Sequence, residues 1–478
     1  MAELTKLNGN LVMLGYGLVG QTVLPLLRKH IRAATDEIRI LAADDSARAS
    51  AEAQGARLIR CRLEPSNYRE ILEQHLTAGD LLVNLSVNVS SLDLVKWCSA
   101  SDVIYVDTSI EPWPGVFDNP ALSPRERSNY LSRKAMLALA RQIGPDASTA
   151  VVDHGANPGL VSHFVKRALS HLNEHRGVIG PMPRSAREWA TLAHDLGVTL
   201  LQISERDTQA ADRPKRTNEF VCTWSIDSFV DELLQPAELS IGTAEAAWPD
   251  DAEWHEEGCG SVYLGRPGAT IGARSWVPSS GSFQGLLITH DETLSIADFL
   301  SLRENGAFAY RPTVMFVYHA CDDAMLSAFE LEGRGWVLQP ALRSMASEIV
   351  SGMDELGVLL AGHAHNAYWY GSQLTIEETR RHVPGANATS LQVAAGALAA
   401  AVWAIRHPRR GLLEPDDLDY EQCLAVAEPY LGRLVGEFTD WTPLQGRGRF
   451  YDEGLEHDHP WGLGNILTRE WHQRTPQP

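Results

Sequence analysis

Short apolar runs alternate with amphipathic stretches through the first third of the chain. "LVML", "IRILAAD", "RLIRCRL", "DLLVNLS" and "VIYVDTS" read as strands, with helices over "TVLPLLRKHI", "SARASAEAQG", "YREILEQHL" and "LDLVKWCSA" between them. Continuous apolar strands linked by helical crossovers predict a parallel sheet covered on both faces. A Pro-rich loop, "EPWPGVFDNPALSP", leads to a helix over "RERSNYLSRKAMLALARQI" and a last strand-like run, "STAVVDHG".

From "NPGLVSHFVKRALSHL", a helix opened by Asn157 and Pro158, the regular alternation stops. Strand-like runs ("NEFVCTWSI", "TVMFVYHA", "RGWVLQP") separated by Gly- and Pro-rich turns predict a second, largely antiparallel α+β domain. "TSLQVAAGALAAAVWAIRH" is then a strongly apolar helix ended by "PRRG", and the tail, with "HDHPWGLGNIL", reads as irregular. The expected fold class is α/β: a Rossmann-type parallel sheet over 1–155 with a returning helix at about 388–424, a second domain over 156–387, and an irregular segment over 425–478.

Length changes this picture little, since 478 residues exceed what one core of ~250–300 residues holds. Charge adds a direction. Lys and Arg total 41 against 61 Asp and Glu, a net charge of −20, which argues against nucleic-acid and anionic-membrane partners and suits a cationic small molecule. Cys61, Cys98, Cys222, Cys259, Cys321 and Cys423 show no zinc spacing and are expected reduced and buried. No signal-peptide pattern opens the chain and no apolar run reaches the ~18 residues of a membrane span, so a cytoplasmic location is expected.

Gly15, Gly17 and Gly20 follow a strand and open a helix. In that setting the first permits a tight turn, the second lets backbone approach a pyrophosphate, and the third lets helix pack on strand, with Leu18 and Val19 presenting free N–H groups. Asp44 ends the second strand, where a carboxylate accepts ribose hydroxyls and repels a 2′-phosphate, so NAD is expected over NADP. "NLSVN", with Ser86, and "VDTSIEP", with Asp107 and Thr108, should line the same crevice. The loop "DHGANPG" leaves the end of a Rossmann strand where a nicotinamide would lie, which brings in Ala156, Asn157 and Pro158. A bare cap for the following helix is the alternative for Asn157.

"GYGLVG", "YVDTSIEPW", "DHGANPGLVSHFVK", "ISERDTQ", "TWSIDSF" and "GHAHNAYWYGSQL" together resemble the bacterial homospermidine synthases, relatives of the saccharopine dehydrogenase group. The resemblance implies a homodimer, with the second domain binding substrate and making the dimer, and NAD held tightly and recycled. It implies that one putrescine is oxidised to an imine, that ammonia leaves as a second putrescine condenses, and that the same NADH reduces the product imine.

An alkylammonium cannot lose hydride until a base removes the proton that occupies its lone pair, and a dication needs anionic or aromatic partners at its far end. Glu205, Trp224 and Glu232 supply two carboxylates and an indole, and His290 a candidate proton shuttle. Asn157 joins them as a catalytic candidate, and Glu111, Asp354 and Asn88 are candidate substrate contacts. A surface carboxylate, a core tryptophan and a structural histidine are the plain alternatives. His363 with His365, and His457 with His459, lack the context of a metal site, and no metal is expected. A saccharopine-like dehydrogenase would need Arg or Lys to clamp carboxylates, and a non-catalytic NAD-binding regulator would need no base.

Overall fold

The parallel sheet forms where the apolar runs place it. The structure, a computed structural model, describes residues 4–177, 181–468, 473 and 474. Strand β1 (Leu11–Leu14) is followed by helix α1 (Leu18–His30), then β2 (Ile38–Ala42), β3 (Ala56–Arg60), β4 (Leu81–Asn84), β5 (Ile104–Asp107) and the short β6 (Ala150–Val151). They pair in parallel in the order β3–β2–β1–β4–β5–β6. The order reverses between β1 and β4, which opens a crevice at their carboxyl ends.

After helix α2 (Leu160–His175), the chain builds a ten-stranded mixed sheet. Its centre is β7 (Leu200–Asp207); helix α3 (Ile226–Leu234) and β8 (Pro236–Ser240) come next, then β9 (Thr313–His319), β10 (Met353–His363) and β11 (Asn366–Thr375). β7 runs parallel to β9 and antiparallel to β10; the other pairs in this sheet are antiparallel.

Helix α4 (Ala388–Arg406) then returns to the first domain and packs on α1 and β5. By length and composition it is apolar enough to cross a membrane, with mean hydropathy 1.6, so the expectation that no such run exists is corrected; 94% of it is buried inside the protein. Burying Leu391, Leu398 and Val402, each at most 2% exposed, stabilises by roughly 1.5–3 kcal/mol apiece.

Four expectations need correction. The stretch 388–424 is not one helix: "PRRG" ends α4, Leu412–Leu413 adds a parallel strand beside β6, and Tyr420–Ala427 is a second helix. "RGWVLQP" is not a strand, because the preceding helix ends in a turn that bonds Trp336 N–H to the Leu331 carbonyl and sets Trp336 at φ 67°. The segment after 425 is not all irregular: β12 (Arg433–Thr439) pairs with β11 at the edge of the mixed sheet. Residues 469–472 and 475–478 of that segment lie outside the described residues. Among the cysteines, all free, Cys61 and Cys259 are only partly buried.

Candidate active site

The glycine turn makes one wall of a cleft of about 800 Å³ at the β1–β4 crevice. Gly15 holds φ 89°, and a Cβ there would lie 2.5 Å from the Leu85 carbonyl oxygen, so only glycine fits. A Cβ on Gly17 would meet nothing within 4 Å, which leaves the backbone open to an incoming group, and α1 begins at Gly17 with no side chain capping it. A Cβ on Gly20 would lie 3.0 Å from the Gly15 carbonyl oxygen, so glycine there lets the helix pack close to the turn. An uncapped helix start beside a bare glycine backbone is a phosphate cradle. Leu18, Val19, Ser86 and Asn88 line the same cleft.

Asp44, exposed at its rim just past β2, accepts hydrogen bonds from Ser46 N–H at 2.9 Å and Ser46 Oγ–H at 2.5 Å. Those bonds hold its carboxyl below the usual range, ionised and pre-set for ribose hydroxyls. Turn, open backbone, helix start and rim carboxylate together fit a dinucleotide.

At the end of this cleft Val19, Leu85, Ser86, Val87, Trp224 and Ser225 are shared with a deeper cavity of about 160 Å³. Glu205, Asn157, Trp224, Glu232, His290, Glu111, Thr108, Ala156 and Pro158 all line the cavity. They arrive from separate elements: Glu205 from β7, Asn157 from the 152–159 loop after β6, Glu232 from the last turn of α3, and Trp224 from the loop that Ser225 caps onto α3. Asn157 is not a helix cap. Gly159 occupies the cap position of α2, and Asn157 Nδ2–H donates to Glu205 Oε2 at 2.7 Å.

Burial lifts the Glu205 carboxyl well above its ordinary range, and Asp354 beside it adds to the lift, with the Asn157 amide partly offsetting both. Asp354 does not line the cavity. It is fully buried next to Glu205 and accepts from Thr389 Oγ–H at 2.5 Å; two buried carboxyl groups so placed resist ionising together.

His290 lies between Glu232 (Nε2 to Oε2, 3.3 Å) and Glu292 (Nδ1 to Oε2, 3.1 Å). Burial alone would pull its imidazole down; the Glu292 and Glu232 carboxylates outweigh that and hold it well above its usual value. Burial also raises Glu232, which His290 partly offsets. Glu111 is pushed up to about 8, first by burial and then by Asp231 and Glu232.

Two further expectations are corrected. Asp107 lines neither space: its fully buried carboxylate accepts from Tyr105 O–H at 2.7 Å and from Asp153 N–H at 2.7 Å, so it pins the Asn157 loop rather than touching cofactor. Asn88 lines the cofactor cleft and not the deep cavity, and reaches Glu111 through its backbone N–H at 3.4 Å.

Sequence reasoning missed Asp231, Asp291, Phe316 and Tyr318, all on the cavity wall. Phe316 and Tyr318 alternate on β9, which puts both rings on one face, stacked with centroids 5.5 Å apart. That period-two signal was available in "TVMFVYH". Asp231 is pushed up to about 7 by burial and then by Asp118, Asp227 and Glu232.

Neither Lys nor Arg lines this cavity among the described residues, while five carboxyl groups do. Such a wall takes a cation and repels a carboxylate. No metal cluster forms at His363 with His365 or at His457 with His459 among the described residues; the grouping that does form is His154, His163 and Cys423.

Residues 11–151 match the family profile of the saccharopine dehydrogenase NADP binding domain, and residues 155–440 that of the saccharopine dehydrogenase C-terminal domain. A homospermidine synthase of Blastochloris viridis is 48% identical over 470 residues, covering 97% of this chain and 98% of its own. One from Mesorhizobium japonicum is 41% identical over 472 residues, 97% of each chain. The crystal structure of the homospermidine synthase from Legionella pneumophila in complex with NAD superposes at a TM-score of 0.92 with 40% identity, over 98% of this chain and 99% of that one. Saccharopine dehydrogenase from Saccharomyces cerevisiae, 13% identical at a TM-score of 0.51, shares the fold alone. With full-length relatives at this identity and both domains matched, the chain belongs to the homospermidine synthase family, within the saccharopine dehydrogenase group.

Proposed function

We propose that this protein binds NAD and joins two putrescine molecules into homospermidine with release of ammonia and no net redox change. The observation that carries the reading is the cavity that continues from the end of the dinucleotide cleft, whose charged walls, among the described residues, are carboxylates and one histidine. When bound, NAD supplies a hydride acceptor and, once reduced, the donor for the product imine.

The chain's own residues do the rest. Glu205, oriented by Asn157 and kept basic by Asp354, takes the ammonium proton so that the nitrogen lone pair can expel hydride from the adjacent carbon. The second amine attacks that carbon after giving its proton to the Glu232–His290–Glu292 group. Glu205 returns its proton to the original nitrogen and takes one from the attacking nitrogen, so the bond from carbon to the original nitrogen breaks, ammonia leaves, and the substituted imine remains in its protonated form. Trp224 presents a ring face to the aminobutyl cation, and Glu111 with Asp231 holds the distal ammonium. A saccharopine-like dehydrogenase is disfavoured because neither Lys nor Arg lines the wall among the described residues.

We also place the enzyme in the cytoplasm as a homodimer. Free thiols suit a reducing compartment, and Leu326, Phe329, Val337 and Val350 are exposed large apolar side chains that a second copy could cover. Incubation with putrescine should yield homospermidine and ammonia in equal amounts while NADH stays out of solution. Deuterium on the oxidised carbon should return in the product, from protein that sediments as a dimer. Stoichiometric free NADH without coupled amine would establish the dehydrogenase instead.

Diamine binding should also expel protons. Glu111 has a folded value of about 8 against 4.5 when unfolded. Its proton therefore stabilises the diamine-free fold at low pH, and that contribution is lost as pH rises through the interval between those values. An ammonium seated beside Glu111 and Asp231 reverses the balance. At pH 7 putrescine binding should release up to about one proton, measured by titration calorimetry in buffers of different ionisation enthalpy. Proton uptake, or no change with buffer, would remove these two residues from the diamine site.

A further inference from the structure

His154, His163 and Cys423 are fully buried, their donor atoms lie within 4.8 Å of one another, and none lines the cavity or the cleft. The grouping invites a metal ion, but the two imidazoles are already bonded to each other, Nε2 to Nε2 at 2.8 Å. That is closer than the ~3.3 Å that two nitrogens keep around a tetrahedral ion with ordinary bond lengths. Burial pushes the Cys423 thiol up, and Lys166 faces both rings with a positive charge, which opposes a cation there.

What the pair does hold is the loop that carries Asn157. His154 sits at its start, and its backbone N–H donates to the Asp107 carbonyl at 3.0 Å. Gly155 is pressed onto α4 so closely that a Cβ on Gly396 would fall 1.9 Å from the Gly155 carbonyl oxygen. The His154 ring then reaches His163 in the first turn of α2, and three residues beyond His154 the Asn157 amide meets Glu205.

We propose that the His154–His163 hydrogen bond is a latch that fixes the Asn157 loop on α2, so that Asn157 stays aligned on the Glu205 carboxylate; both histidines are positioning residues for the base. Two imidazoles in this geometry bond with one ring donating Nε2–H and the other accepting, an arrangement lost once both rings are protonated. Burial, ahead of the nearby Lys166, holds His154 down to about 4 and His163 well below its usual value, so the latch is closed near neutrality. The charged or titratable groups facing the pair are Lys166 from α2 and Cys423 from Tyr420–Ala427.

The proposal rests on the reading of Glu205 as the base, and the test separates the two. Asn157's bond lowers the Glu205 carboxyl, so loosening the loop moves the acid limb of the kcat/KM profile to higher pH. In the NAD-loaded enzyme, His163→Phe, which fills the space without a donor, should lower kcat about tenfold or more with KM for putrescine little changed, and raise the limb by roughly half a pH unit or more. His163→Gln, which can restore a donor, should recover most of both. Asn157→Ala should raise the limb too, and adding His163→Phe to it should shift it no further. If Asn157→Ala leaves the limb in place, the Glu205 reading falls. If Asn157→Ala moves it and His163→Phe does not, or if His163→Gln behaves as His163→Phe does, the latch is overturned and the pair is packing alone. Should His163→Phe not fold, His154→Gln against His154→Leu decides by the same comparison.

Discussion

Glu205→Gln is expected to lose homospermidine formation by about 10²–10⁴-fold, the range for removing a positioned general base, while the fold and bound NAD survive. The substitution keeps shape, and a glutamine oxygen still accepts from the Asn157 amide that now reaches Oε2 at 2.7 Å. The chemistry cannot be rescued by Asp354, because that carboxyl lies next to Glu205 and does not line the cavity. Stability should move the other way. Glu205 has a folded value well above its unfolded one, so its ionisation works against the fold as pH rises past the unfolded value. Glutamine removes that penalty, and the variant should melt higher than the parent at pH 8 to 9 and about equally at pH 5, by about the few degrees that ~1 kcal/mol is worth in a chain this size. The measurements are ammonia and homospermidine turnover beside thermal midpoints at the two pH values. Activity within tenfold of the parent would take Glu205 out of the mechanism; a midpoint that drops at high pH would show that its charge is balanced by a partner not yet recognised.

The parallel sheet was legible in the sequence and the exact wall of the cavity was not. The strands β1 to β5 are buried on both faces, so their apolar runs, their crossover helices and the glycine turn all state one local preference. The Asp44 rim follows from strand length alone. Asp107, Asp354 and Asn88 sit in strings as suggestive as those of Glu205 and Glu232, yet their side chains turn away from the cavity: Asp107 to Tyr105 and the loop backbone, Asp354 to Thr389. Which way a carboxylate points depends on sheet register, here Leu356 of β10 opposite Glu205, and register is set by pairing between strands some 150 positions apart. The 388–424 stretch failed for a different reason. An all-apolar helix carries no periodic stripe to mark its end, so only the "PRRG" breaker at 408–411 separates α4 from the elements that follow.

The same uncertainty about direction applied to Trp224, which a sequence alone leaves equally suited to core packing. In the structure it is half-buried, lines both the cleft and the cavity, and touches the core through Phe229, with ring centroids 5.6 Å apart at 49°. Truncation should therefore cost less than the ~3–5 kcal/mol of a fully enclosed tryptophan, because much of the ring faces open space already. Turnover should suffer more than stability. A ring face over the aminobutyl cation is worth roughly 0.5–2 kcal/mol in a desolvated site, and the indole also stands between the two spaces, where its loss admits water to a reactive imine. Trp224→Ala is expected to lose up to about 30-fold in kcat/KM and to release some aldehyde from hydrolysed imine; Trp224→Phe should keep part of the activity, in line with the weaker quadrupole of benzene. Trp224→Glu attracts the same ammonium but holds it too firmly and adds a sixth carboxyl to the wall, so KM should fall or hold while kcat drops. Turnover, aldehyde trapping and thermal midpoint for the three variants decide the matter. A folded Trp224→Ala protein with full specific activity and no aldehyde would show that the ring neither stabilises the cation nor excludes water, and would return the residue to packing.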